Sequence, residues 1–257
     1  MHVDRRADLR HALDPVAFAA ERLGIVVDDW QARFLRSQAA RRIVLTSRQS
    51  GKSTTAAIAA VHRAIFFAES LVLVVSPSLR QSSLLFEKIA AHVSRLGLHT
   101  DLSEENRSSL TFANGSRVVS LPGGSEETIR GYSGVALVLE DEAAWVPDAT
   151  FHAVTPMLAV SRGSLVLLST PCGARGHLFD VWSRGGREWE RYKITADDVP
   201  RIPRDFLEQE RKLKGDRIWL QEYFCEFGDA VDAFFSADAV HGAISPDVEP
   251  LFFGSPS

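Results

Sequence analysis

Short apolar runs alternate along the chain with longer segments whose apolar residues recur at helical spacing. "RRIVLT" (41–46), "SLVLVVSP" (70–77), "GVALVLEDEA" (134–143) and "GSLVLLSTP" (163–171) have the length and β-branched content of buried strands. Between them lie amphipathic stretches read as helices: 53–67, 79–97 with Gly97 as its stop, and 148–158. Before them, a helix is expected over 15–23. Another, capped by Asp28 or Asp29, carries Trp30, Phe34 and Leu35 on one face. "SLTFANGSRVVSLP" alternates about Asn114-Gly115 and predicts a hairpin. "WERYKITA" reads as an edge strand, and 203–227 as helix broken near Gly215-Asp216. Short all-apolar strands alternating with helices predict an α/β fold, with a mostly parallel sheet flanked by helices on both faces.

Composition leaves this picture in place. Of the 257 residues, 45% are hydrophobic and 24% charged, as in an ordinary globular domain with one sizeable core. A net charge of -4 argues against a uniformly basic nucleic-acid binder but leaves room for a local basic face. Two cysteines, Cys172 and Cys225, are too few for a disulfide framework or a four-thiolate metal site. No apolar run approaches the ~20 residues that span a bilayer, and the N-terminus has no secretory pattern, so a cytoplasmic protein is expected.

The chemistry begins at Ser47–Thr54, "SRQSGKST", between the first long strand and its helix. A strand, a tight turn and a helix opening at Lys52-Ser53 present backbone N–H groups and a helix N-terminus to an anion. In a phosphate loop, Gly51 permits close backbone approach, Lys52 reaches the terminal phosphates and Ser53 faces Mg²⁺. The pattern G-x-x-x-x-G-K-S/T asks for glycine at position 46, where Thr46 stands. Alone, the segment reads equally as a Gly-Lys-Ser turn that merely opens a helix. The strand ending in Asp141-Glu142 adds weight, since an Asp in that place holds Mg²⁺ and the next Glu polarises the attacking water. Glu140 leaves a second acidic pair open. The pair 141–142 is preferred because the apolar run is complete before Glu140, which, if buried, needs a partner such as an arginine. The eight histidines show no metal-ligand spacing, and His152 and His177 are read as structural.

In order, "TSRQSGKST", "LVVSPSLRQS", "SLPGGSEETIRGYSGVALVLEDEAAWV", "LLSTP" and "QEYFCEFGD" resemble the ATPase domain of the large terminase subunit, the motor that packages DNA into tailed-phage capsids. The likeness runs from about Trp30 to Asp229. It implies a P-loop NTPase of the RecA-like (ASCE) kind, ATP and Mg²⁺ as cofactors, and a small helical subdomain after the sheet. Terminase loops commonly lack the first glycine and carry an arginine at the place of Arg48. The resemblance therefore implies that Arg48 stabilises charge near the γ-phosphate, against the plainer reading of a loop arginine paired with an acidic neighbour. Ser47, Gln49, Ser50 and Thr54 complete the implied nucleotide-binding loop. Trp30-Gln31 resembles the adenine-recognising segment upstream of it. Ser169 and Thr170 are similar to the coupling motif that senses the γ-phosphate. Arg130 stands where an "RG" pair senses nucleotide or reaches a neighbouring subunit. Ser76, Gln81 and Ser82 lie at an edge used for coupling or strand contact.

The implied partners are double-stranded DNA, further copies in a homo-oligomeric ring on a portal, and a small terminase subunit, with no membrane. The expected organisation is an N-terminal helical segment (1–27), an ATPase core (28–200), and a helical subdomain with an irregular tail (201–257). Trp219, Tyr223 and Phe224 are expected in the subdomain's core. The RNase H-type nuclease of a complete large subunit has no room before Ser257, despite Asp229, Asp232, Asp238 and Asp247, so no nuclease activity is expected of this chain. Two readings compete with the motor: a helicase-like ATPase, which would need a second motor domain, and a prophage remnant that binds nucleotide without packaging.

Overall fold

The computed structural model describes residues 5–98, 102–105 and 108–228. Helices α1 (Arg5–Leu13), α2 (Pro15–Arg22) and α3 (Asp29–Arg36) lead into β1 (Arg41–Thr46), α4 (Lys52–Phe66), β2 (Leu71–Ser76) and α5 (Leu79–Arg95). Then come β3 (Leu102–Glu105), β4 (Ser109–Phe112), β5 (Arg117–Pro122), α6 (Glu126–Arg130) and β6 (Val135–Asp141). A 3₁₀ turn (Ala143–Trp145), α7 (Asp148–Val154), α8 (Met157–Ser161), β7 (Ser164–Ser169), α9 (Gly176–Arg184), β8 (Trp189–Ile194) and α10 (Arg204–Phe224) complete the order.

The strands form one eight-stranded sheet in the order β3-β4-β5-β2-β6-β7-β1-β8. Every pairing from β5 to β8 is parallel, and β3 and β4 add an antiparallel edge. The Asn114-Gly115 hairpin joins β4 to β5, and β8 is the opposite edge, as the alternation predicts. Because side chains alternate across a strand, each central strand feeds two cores. Val44, Val74, Leu139 and Leu168 pack under α2–α5, whereas Leu45, Val75, Val138 and Leu167 pack under α7–α9.

The expected helix 148–158 divides at Pro156 into α7 and α8, since a proline in a helix interior removes a hydrogen bond and clashes with the preceding turn. In α10, Gly215 leaves helical geometry at φ 76°, which is the predicted break. Its second half packs back on the chain. Tyr223 and Leu207 are buried against Ala196, with Trp219 and Phe224 alongside. The Trp219 indole donates to Leu207 O at 2.9 Å. The tail with its aspartates and paired phenylalanines lies outside the described residues.

Candidate functional site

Parallel pairing brings the C-terminal ends of β1, β7 and β6 side by side, where open α/β sheets bind their ligands. The loop after β1 turns through two left-handed residues, Gln49 at φ 63° and Gly51 at φ 91°. Gly51 is required twice over: its φ suits glycine, and a Cβ there would lie 2.7 Å from the Gln31 amide nitrogen. Helix α4 starts at Lys52, so the loop ends on a helix N-terminus. A cavity of about 570 Å³ opens over the loop and is lined by Ser47–Thr54, with Glu142, Trp145 and Thr170 facing it.

Lys52 is 8% exposed and bridges the acidic pair, with Nζ 2.7 Å from Glu142 Oε1 and 3.4 Å from Asp141 Oδ1. Burial works against the ammonium, but the two carboxylates outweigh it and hold the lysine above its ordinary pKa. Glu142 has φ 53°, a left-handed conformation uncommon outside glycine, which turns the chain sharply after Asp141. The Ala144 N–H that follows donates to Ser169 Oγ at 3.2 Å. Thr170 Oγ1 donates to Thr46 O at 3.0 Å, tying the end of β7 to β1. Loop, acidic pair, Ser169 and Thr170 thus converge. Arg130 does not join them: it is exposed at the end of α6, with no ion pair among the described residues.

Asp141 Oδ1 is buried and makes no hydrogen bond beyond its long approach to Lys52. An unsatisfied carboxylate oxygen, with Ser53 bordering the same space, suits a hard cation that takes oxygen ligands. Mg²⁺ therefore fits the residues present.

Two expectations need correction, the base-binding role of Trp30-Gln31 and the arginine partner of Glu140, and Arg48 rests away from the role expected of it. Trp30 is 3% exposed and lies in the core under α2–α5, so it has no free face for a base. The Gln31 amide is turned inward: its oxygen accepts from the Asp28 N–H at 2.7 Å and its nitrogen donates to Thr55 Oγ1 at 2.7 Å. It caps α3 and braces α4 rather than offering an edge to adenine. Glu140 is fully buried, but its partner is His177, not an arginine. Arg48 borders the cavity with a side chain 62% exposed. Its guanidinium stands 3.1 Å from the Glu222 carboxylate of α10, and the Arg48 backbone N–H donates to the Glu222 carbonyl at 3.1 Å, so in this conformation it is paired with an acidic neighbour.

Arg201 is invisible to sequence reasoning. Its guanidinium donates to Ser50 O at 2.6 Å and meets Asp28 at 2.7 Å. It occupies an outward-facing loop carbonyl, which a phosphate-binding turn leaves without a partner. Nothing near Arg201 in the sequence signals this, because the contact spans 151 residues.

Behind the acidic strand, His177 Nε2 meets Glu140 Oε1, while Nδ1 lies 2.9 Å from Asp148 Oδ1 and the ring stacks on Phe151. Burial opposes the imidazolium, but the hydrogen bond and charge of Glu140, then those of Asp148, hold His177 above the usual histidine value. A raised folded pKa gives stability that is complete below the unfolded value of about 6.5 and is lost as pH rises through the folded value. The wild type should therefore melt lower at pH 9 than at pH 6. Part of that drop should be absent from His177→Gln, read by calorimetry at both pH values. Equal pH dependence in both proteins would contradict a charged His177.

Comparison with known proteins agrees with this architecture. The family model described as "Terminase large subunit, T4likevirus-type, N-terminal" matches residues 43–241. The large terminase subunit of Thermus phage G20c is 26% identical over 250 aligned positions, which cover 84% of this chain and 52% of that protein. The chain thus spans about half the length of the curated relatives it matches. Among solved structures, the large terminase ATPase domain of Thermus phage P74-26 superposes with a TM-score of 0.74 at 25% identity, covering 84% of this chain and 99% of that domain. The large terminase of a thermophilic bacteriophage, solved in complex with ATP-γ-S, superposes at 0.61 with 14% identity, covering 78% of this chain and 53% of that one, and shares the fold.

Proposed function

The chain belongs to the family of terminase large subunits, in their N-terminal ATPase part, and from that premise we propose that it hydrolyses ATP with Mg²⁺ to drive double-stranded DNA into a viral procapsid. The observation that carries the reading is Lys52, held between Asp141 and Glu142 at the mouth of the Ser47–Thr54 loop. A buried lysine over two carboxylates is a phosphate-binding charge set at rest: an arriving triphosphate brings the anionic oxygens that draw Lys52 away and free Glu142.

In this scheme the loop N–H groups and the α4 N-terminus hold the phosphates, and Lys52 stabilises charge on the terminal ones. Ser53 and Asp141 would hold the metal, which when bound would neutralise charge on the phosphates. Glu142 orients a water in line with the γ-phosphorus and takes its proton as the oxygen–phosphorus bond forms and the bond to ADP breaks. Ser169 and Thr170, bonded to the Ala144 N–H and to Thr46 O, lie where loss of the γ-phosphate would be felt. Arg130, exposed, is assigned to a neighbouring copy in the ring.

Arg48 is proposed to leave Glu222 for the γ-phosphate as charge builds in the transition state. Arg48→Ala should then lower turnover about 10²-fold, the usual cost of losing one such donor, while ATP affinity stays within about threefold. Single-turnover hydrolysis beside equilibrium nucleotide binding separates the two. A fall in affinity alone would make Arg48 a ground-state phosphate clamp.

ATP turnover by the purified protein, with and without double-stranded DNA, tests the whole reading. No turnover in either condition removes the motor. DNA binding should weaken steeply with salt, as expected for contacts to the phosphate backbone. Salt-independent binding would contradict a backbone-tracking role.

A further inference from the structure

Glu140 sits where the apolar layer under α7–α9 should continue. Its ladder neighbours are Val75 on β2 and Leu167 on β7, both in that core, and it is fully buried between them. A carboxylate in such a place is costly unless paired, and one of its oxygens, Oε2, has no hydrogen-bond partner. The other meets His177 in the first turn of α9. His177 in turn gives both its ring Nδ1 and its backbone N–H to Asp148 Oδ1, at 2.9 and 2.8 Å, at the first residue of α7. Three charged or ionisable groups on three elements thus form one line behind the acidic strand.

The line lies where β6 loses its other support. Pairing with β2 ends at Val75 and Glu140, and Asp141 keeps only Leu168 of β7 across from it. At the next residue the backbone turns left-handed to present Glu142. Two side chains hold the strand end there, one on each side of the acidic pair. Ser169 accepts the Ala144 N–H after it, and His177 grips Glu140 before it. Ser169 ends β7 and His177 lies in the first turn of α9, so both belong to the same β7–α9 connection.

We propose that His177, acting through Glu140, is a positioning residue of the hydrolytic site: the Glu140–His177–Asp148 relay fixes the end of β6 and joins the placement of Asp141 and Glu142 to the β7–α9 connection. The relay touches no substrate. It acts by geometry, and a displacement of about 1 Å at a reacting group costs up to about 10²-fold in rate. The inference rests on the ATPase reading above.

The test replaces the relay by apolar bulk. Glu140→Leu/His177→Leu removes both buried ionisable groups together, a change that is often neutral or stabilising to a fold. Glu140→Gln keeps the side chain's shape and serves as a second, milder variant. His177→Gln keeps a donor toward Glu140 and should recover part of the lost rate. Each is measured for melting temperature, ATP affinity, KM and kcat in the full chain. The expected result is a double variant that melts at or above the wild type and binds ATP within about threefold, but turns over about 10- to 100-fold more slowly. Glu140→Gln should fall between it and the wild type. Wild-type kcat in either folded variant overturns the relay, as does an equal loss of affinity and rate, which marks general disruption. Wild-type turnover is measured first. Its absence sinks the ATPase reading and the relay's role with it, whereas normal wild-type turnover beside unimpaired variants sinks the relay alone.

Discussion

Lys52→Ala is expected to stop ATP hydrolysis, with a loss of at least about 10²–10³-fold in kcat and a marked fall in nucleotide affinity. Two effects act together. The variant loses the ammonium that would lie against the terminal phosphates in both ground and transition states. It also leaves Asp141 and Glu142, which share Lys52 at 3.4 and 2.7 Å, facing each other and an incoming polyanion with no cation between. Removing one partner of a buried charge set is more damaging than replacing the set, because the remaining charges stay desolvated. Lys52→Ala should therefore also lower the melting temperature without nucleotide, which a surface phosphate clamp would not do. Filter binding of labelled ATP, steady-state turnover and a melting curve together decide it. Unchanged turnover would show the loop to be ornamental, whatever the fold.

Much of this site is local in sequence and can be read there. Gly51, Lys52 and Ser53 close the short loop after β1, and Asp141-Glu142 end an apolar run, so each half of the charge set is visible without knowing the sheet. The parallel sheet follows from the same apolar runs. Its strand order does not: nothing in "RRIVLT" says that β1 lies between β7 and β8. Helix α9 is amphipathic, but nothing in its own sequence says that its first turn packs behind β6, so His177 reads as merely structural. Trp30 and Gln31 mislead for a related reason. The amphipathic pattern shows that Trp30 and Phe34 share a face, but the fold alone shows that this face is sealed against the core and that the Gln31 amide is spent on Asp28 and Thr55. Arg201, Glu222 and His177 all act through partners far away in sequence, on elements whose approach is set by packing. Glu140 illustrates the useful failure. A carboxylate in an apolar run contradicts the local pattern, and that conflict marks the position where the structure shows a buried carboxylate–histidine pair.

Glu142→Gln should bind ATP as well as the wild type does, within about threefold, yet lower kcat by about 10²–10⁴-fold, the usual contribution of a positioned general base. The amide has the carboxylate's shape and can still accept a hydrogen bond from Lys52, so the left-handed turn at φ 53° and the strand end before it have no reason to change. What it lacks is the capacity to take a proton from water. The contrast with Lys52→Ala is the point of the pair. Lysine serves binding and turnover together, so both fall; a base serves only the transition state, so rate falls alone. Asp141→Asn gives the third corner, since the loss there should shrink as Mg²⁺ is raised, whereas no concentration of metal restores a missing base. If Glu142→Gln lost affinity in step with rate, Glu142 would belong among the phosphate or metal contacts, and the base would have to be sought elsewhere along the cavity wall.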